Sequence, residues 1–108
     1  MSFINITEPS EIPQEGNVAV FILVDSRAPC KKFLNYAAQA VSILEPECNP
    51  TNGTYLVLNW NDVVKEEFTL GGMPTCIVFV DGVEKKRFVG HFYSQFEIAG
   101  LIAEGFNK

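Results

Sequence analysis

The sequence predicts a single α/β domain, residues 1–108, built on a mixed central β-sheet with helices on both faces. Three observations carry that expectation. Val18 to Val24 is an unbroken apolar, β-branched run leading into an amphipathic segment, Asp81-Gly82 joins two strand-like runs, and Ser94 precedes Glu97 by three residues ahead of a final apolar periodicity. They read in turn as a buried strand with its following helix, a β-hairpin, and a capped C-terminal helix.

Along the chain, Phe3 to Ile6 is a short strand, and Thr7 to Gly16, with Pro9 and Pro13, is a turn with at most one helical turn. Asn17 to Val24 suits a central strand covered on both faces. From Pro29, a good first-turn residue, Phe33, Leu34, Ala37, Ala38, Val41 and Leu44 recur at helical spacing. Pro46 and the polar stretch Glu45 to Gly53 are expected to end that helix. Tyr55 to Trp60 is the next strand, and Asn61 or Asp62 caps a short helix through about Phe68 that Gly71-Gly72 stops. Cys76 to Val80 and Glu84 to Val89 form the hairpin. The last helix is expected to bury Phe96, Ile98, Leu101 and Ile102, with Phe106 a further candidate. Strand, helix, strand followed by a hairpin and a helix gives parallel and antiparallel pairs in one sheet.

Composition narrows the function classes. The chain has 108 residues, 47% hydrophobic, with nine phenylalanines, which is enough apolar material for one core without staples. Eight Lys and Arg against 13 Asp and Glu give a net charge of -5, which argues against general nucleic-acid binding. The seven-residue apolar run is far below the roughly 20 residues of a membrane-spanning helix. The N-terminus shows no basic stretch followed by an apolar one, so the expected setting is the cytoplasm, without membrane. Cys30, Cys48 and Cys76 are spaced by 18 and 28 residues, and the chain has one histidine, so no metal and no cofactor are expected. Two Asn-x-Thr sequons, at Asn5 and Asn52, would matter only in a secreted protein.

Four features in order carry a resemblance. They are the buried strand entering Ser26-Arg27-Ala28-Pro29-Cys30-Lys31, the long helix from there, Gly72-Met73-Pro74-Thr75 before a strand, and Asp81-Gly82 followed by Phe88-Val89-Gly90. The chain thereby resembles the thioredoxin family over nearly its whole length, with an abbreviated N-terminus. The resemblance implies a thioredoxin-like fold with a disulfide-exchange site of the form Cys-x-Pro-Cys at a strand-to-helix turn, faced by a cis-proline loop at Pro74. In such a site the helix N-terminus stabilises the first thiolate, which attacks a substrate disulfide and is then displaced by the second cysteine.

The sequence departs from that pattern at each chemical position. Arg27 stands where the resemblance places the attacking cysteine, leaving Cys30 as the resolving half of a pair. Ser26 replaces the usual preceding tryptophan. Phe21 holds the place of a buried proton-accepting Asp, and Val57 that of a nearby lysine. Ordinary dithiol reductase activity is therefore not expected. A partner protein or extended peptide would instead lie in a groove formed by Arg27, Ala28, Pro29, Met73, Pro74, Gly90 and His91, adding a strand along the backbone beside the cis-proline. No nucleic acid or membrane partner is expected, and the chain is read as a monomer or weak dimer.

The alternative is a thiol-disulfide oxidoreductase of redox homeostasis using Cys30 as a single thiol. Arg27 and the helix N-terminus would favour its thiolate, and Cys76 or glutathione would resolve the mixed disulfide. Each site residue also has a plainer reading. Cys30 would be a small buried hydrophobe, Arg27 a solvated partner of Asp25, Pro74 a turn former, and His91 a surface loop residue rather than a base for Cys30.

Overall fold

The computed structural model describes residues 3–24, 28–47, 53–72, 74–89 and 93–106; within helix α1, the side chains at 28, 29, 43 and 45–47 also lie outside the description. In chain order the elements are β1 (Ile4–Ile6), a short 3-10 helix η1 (Pro9–Glu11), β2 (Asn17–Leu23), α1 (Ala28–Glu47), β3 (Gly53–Asn59), α2 (Asp62–Phe68), β4 (Thr75–Val80), β5 (Val83–Val89) and α3 (Gln95–Phe106). They form one five-stranded sheet in the order β1-β3-β2-β4-β5. The pairs β1/β3 and β2/β3 are parallel, whereas β2/β4 and β4/β5 are antiparallel.

The continuous apolar run in β2 is explained by its central place. Ala19, Phe21 and Leu23 enter one core with α1 and α3, while Val18, Val20 and Ile22 enter a second core on the opposite face. Alternation along the strand feeds both layers. The first core includes Cys30, Phe33, Val41, Ile98 and Ile102, and the second includes Ile12, Val64 and Leu70. The hairpin turns at Asp81 (φ 51) and Gly82 (φ 81), consecutive left-handed residues whose twist matches that of the flanking strands. Asp81 also binds the Asn17 end of the sheet, its carboxylate accepting from the Gly16 N–H at 2.8 Å.

Three local expectations are corrected. The first concerns α1, which runs to Glu47, through Pro46 rather than ending at it. Proline in the last turn deprives the helix of a single bond, to the carbonyl four residues back, so the turn tolerates it. The second concerns α2, which is stopped by Thr69, not by Gly71-Gly72. Thr69 takes φ 53, its N–H donates to Glu66 and that of Leu70 donates to Lys65, a Schellman closure with threonine in the usual glycine position. The third concerns Phe96, expected in the core but 69% exposed. Ile98, Ala99, Ile102, Gly105 and Phe106 define the inward stripe of α3, and two residues before Ile98 is the far side of a helix. The alternatives for the α2 cap resolve to Asn61, whose Oδ1 accepts from the Val64 N–H at 2.9 Å. The α3 capping box forms as expected, Ser94 N–H to Glu97 and Glu97 N–H to Ser94 Oγ.

Candidate functional site

The expected site lies where β2 gives way to α1, beside the segment entering β4. Cys30 is the third residue of α1 and is 1% exposed, packed into the α1/α3 core. Pro74 is buried one residue before β4, and the Thr75 hydroxyl donates to the Gly72 carbonyl across it. Gly72 lies over Val89, since a Cβ added to Gly72 would meet the Val89 methyls at 3.6 and 3.7 Å. Thr75 and Val89 are register partners, so the proline segment and the end of β5 are held side by side.

Arg27, Met73, Gly90 and His91 lie outside the described residues, as do Asp25, Ser26, Cys48 and Asn52. Ala28 and Pro29 open α1, but their side chains fall outside the description too. Of the expected site residues, the candidate thiol Cys30 and the groove residue Pro74 lie within it, and Val89, the neighbour of Gly90, ends β5 beside the proline segment. Cys30 and Cys76 are both free thiols in the same core cluster. Cys76 is wholly buried, and burial alone pushes its thiol far above the ordinary cysteine range, so it stays protonated. Among the described residues no group of three or more His, Cys, Asp or Glu is placed to hold a metal ion, and no helix is long and apolar enough to cross a membrane.

Cys30 shares its buried core with Phe21. Phe21 is fully buried, with Val57 as its register partner on β3 and Cys76 as its partner on β4. Its ring meets Phe3 edge-on at 5.2 Å and Phe33 at 5.7 Å. The two positions at which the resemblance implied an acid and a lysine are thus directly paired, and both are apolar. Two further rings, those of Phe3 and Phe33, pack against Phe21. Such packing supplies apolar contact and no group that could accept or relay a proton.

Two features went unanticipated in the sequence. Arg87 on β5 pairs with Glu84, at 2.7 Å from both Nε and Nη2, while its Nη1 donates to the Phe68 and Thr69 carbonyls. The guanidinium thereby closes the C-terminus of α2, where a cation complements the helix dipole. The other is a pair of clefts between η1 and α2. For the cleft that Val63 and Val64 border, the sequence signal was that doublet in a short polar helix, since only one of two adjacent residues can face the sheet.

No protein-family model matches the sequence, and a search of curated proteins finds no match. Solved structures do match in shape. A mutant thioredoxin from Halobacterium salinarum is similar at a TM-score of 0.73 and 17% identity, over 95% of this chain and 89% of that one. The oxidised thioredoxin of Plasmodium falciparum is similar at 0.75 and 20% identity, over 95% and 97% of the two chains. Oxidised mitochondrial thioredoxin 3 from Saccharomyces cerevisiae gives 0.74 and 15% identity, over 94% of each. At these identities the likeness is one of fold: the chain has a thioredoxin-like fold.

Proposed function

We propose that this chain of thioredoxin-like fold is a protein- or peptide-binding module that lacks dithiol-disulfide reductase chemistry. An extended partner segment lies in the groove beside Met73 and Pro74, with Arg27, Ala28, Pro29, Gly90 and His91 around it, and adds to the exposed backbone there as a strand. The observation that carries the reading is the Phe21/Val57 pair. With an apolar pair in the proton-transfer positions and Arg27 in place of the attacking cysteine, exchange has neither a nucleophile nor its supporting base. The burial of Cys30 weighs against its use as a single thiol, because a reacting sulfur must reach a substrate disulfide in line. The setting is a reducing cytoplasm in which Cys30 and Cys76 remain thiols.

Insulin disulfide reduction with the wild-type chain and with Arg27→Cys tests the chemical half. Both are expected to be inactive, and turnover by the wild type would overturn the reading. Activity in Arg27→Cys alone would show that the scaffold needed only its nucleophile and would remove the argument from Phe21. The binding half predicts that a partner retained by the wild type in a pull-down is lost with Met73→Arg, which obstructs the groove.

A further inference from the structure

The two faces of the sheet are unequally covered. Among the described residues, one carries the 20-residue α1 and the 12-residue α3, the other only the seven-residue α2 and η1. A helix of seven residues is about 10 Å long, whereas a strand of seven residues extends about 23 Å. The short helix leaves seams over the sheet. Two clefts open there, one of about 310 Å³ bordered by Thr7, Pro9, Asp62, Val63 and Val64, the other of about 320 Å³ bordered by Pro9, Ile12, Glu67, Phe68 and Phe79.

The clefts adjoin. Pro9 borders both, and Val63/Val64 and Glu67/Phe68 follow at four-residue spacing along one side of α2. The bordering α2 residues are one helical turn apart, about 5.4 Å along the helix, against roughly 6.8 Å between alternate side chains of an extended peptide. Val63 is 68% exposed, an apolar side chain that the fold leaves in water. The charged residues bordering the clefts are Glu8, Asp62 and Glu67, and neither border includes a lysine or arginine. The carboxylates of Asp62 and Glu67 make no hydrogen bond or ion pair with another described residue. Adjoining clefts that combine apolar wall residues (Pro9, Ile12, Val63, Phe68) with an acidic rim are complementary to a segment carrying both apolar and cationic side chains.

We propose that the η1/α2 clefts form a docking groove for an extended segment of a partner protein with apolar residues at alternate positions and lysine or arginine between them. This groove borders the core opposite the one holding Cys30, so it is a second site, independent of the groove at Pro74.

The probes are the synthetic peptides Leu-Lys-Leu-Lys-Leu and Leu-Glu-Leu-Glu-Leu, titrated into ¹⁵N-labelled protein at low salt. The lysine peptide is expected to shift amides in 7–14 and 62–68, and the glutamate peptide to leave them unmoved. Glu67→Lys, which reverses a rim charge, and Val63→Ser, which removes the exposed apolar side chain without adding charge, are expected to weaken the lysine peptide by at least about fivefold with unchanged thermal midpoints. The proposal is overturned by equal shifts with both peptides, by shifts scattered over the acidic surface, or by none at millimolar peptide. Shifts confined to the amides around Cys30 and Pro74 would assign the peptide to the other groove and overturn it as well. So would self-association through this face, seen by sedimentation.

Discussion

Phe21→Asp restores the carboxyl that a thioredoxin-type exchange site would require, and in this interior it is expected to be severely destabilising. Phe21 is fully buried between Phe3 and Phe33, with Val57 and Cys76 as its strand partners. Removing a buried phenylalanine ring costs about 3–5 kcal/mol, and a carboxyl without a partner adds about 1–3 kcal/mol. A domain of this size has about 5–15 kcal/mol in total, so the variant would be marginal or unfolded. Phe21→Leu, which removes the ring but no apolar character, is the matched control and should lose about 1–2 kcal/mol. Urea denaturation followed by circular dichroism reads both.

The pH dependence separates desolvation from simple loss of the ring. Burial raises the folded-state pKa of the new Asp above its unfolded value of about 3.9, so the folded state binds the extra proton. Stability of Phe21→Asp relative to Phe21→Leu therefore falls as pH rises above about 3.9, by about 1.4 kcal/mol per unit, until the folded pKa is passed. Equal stability of the two variants at neutral pH, with no pH-dependent gap, would refute the apolar burial of position 21.

Gly105→Ala should cost about 1–3 kcal/mol, read as a lowered urea midpoint, because an added Cβ would lie 2.7 Å from Val78 Cγ1 where α3 crosses the sheet. Arg87→Ala should cost about 1 kcal/mol and fray the end of α2, seen as faster amide exchange at Thr69 and Leu70; its half-exposed pair with Glu84 limits the effect. Glu11 is held below its ordinary 4.5 by the N–H groups of Thr7 and Glu8. Its contribution to η1 is complete above about 4.5 and lost as pH falls through the lowered folded value, so the Thr7 and Glu8 amide resonances should move only on that acid side. Titration of those amides above pH 5 would contradict the assignment.

Most of the fold was legible because the strongest local signals agreed with the tertiary arrangement. The Val18–Val24 run had to be covered on both faces, and the sheet gives its alternate residues to two cores. Asp81-Gly82 and Ser94/Glu97 are short-range chemistry that needs no tertiary partner, and both behave as read. The misreadings occurred where distant groups decide. Thr69 takes a left-handed conformation that local propensity gives to glycine, and the guanidinium of Arg87, 18 residues away, binds its carbonyl. Phe96 was assigned inward from its residue type, but the phase of Ile98, Ile102 and Phe106 turns it outward. At the site, the places of Phe21 and Val57 and the shielding of Cys30 were legible only through the family resemblance, and the structure pairs the first two across β2 and β3 and buries the third. The clefts beside η1 depend on how little of a sheet face a seven-residue helix covers, which is a property of assembled lengths rather than of any motif.

The most direct measurement is site-resolved alkylation of the three cysteines with a maleimide across pH, in native buffer and in urea, quantified by peptide mass spectrometry. The account predicts that Cys30 and Cys76 are protected in the native protein and react only on unfolding, because both are 1% exposed or less. Native labelling of Cys30 with an apparent pKa well below about 8.5 would contradict it and restore a reactive thiolate to the head of α1.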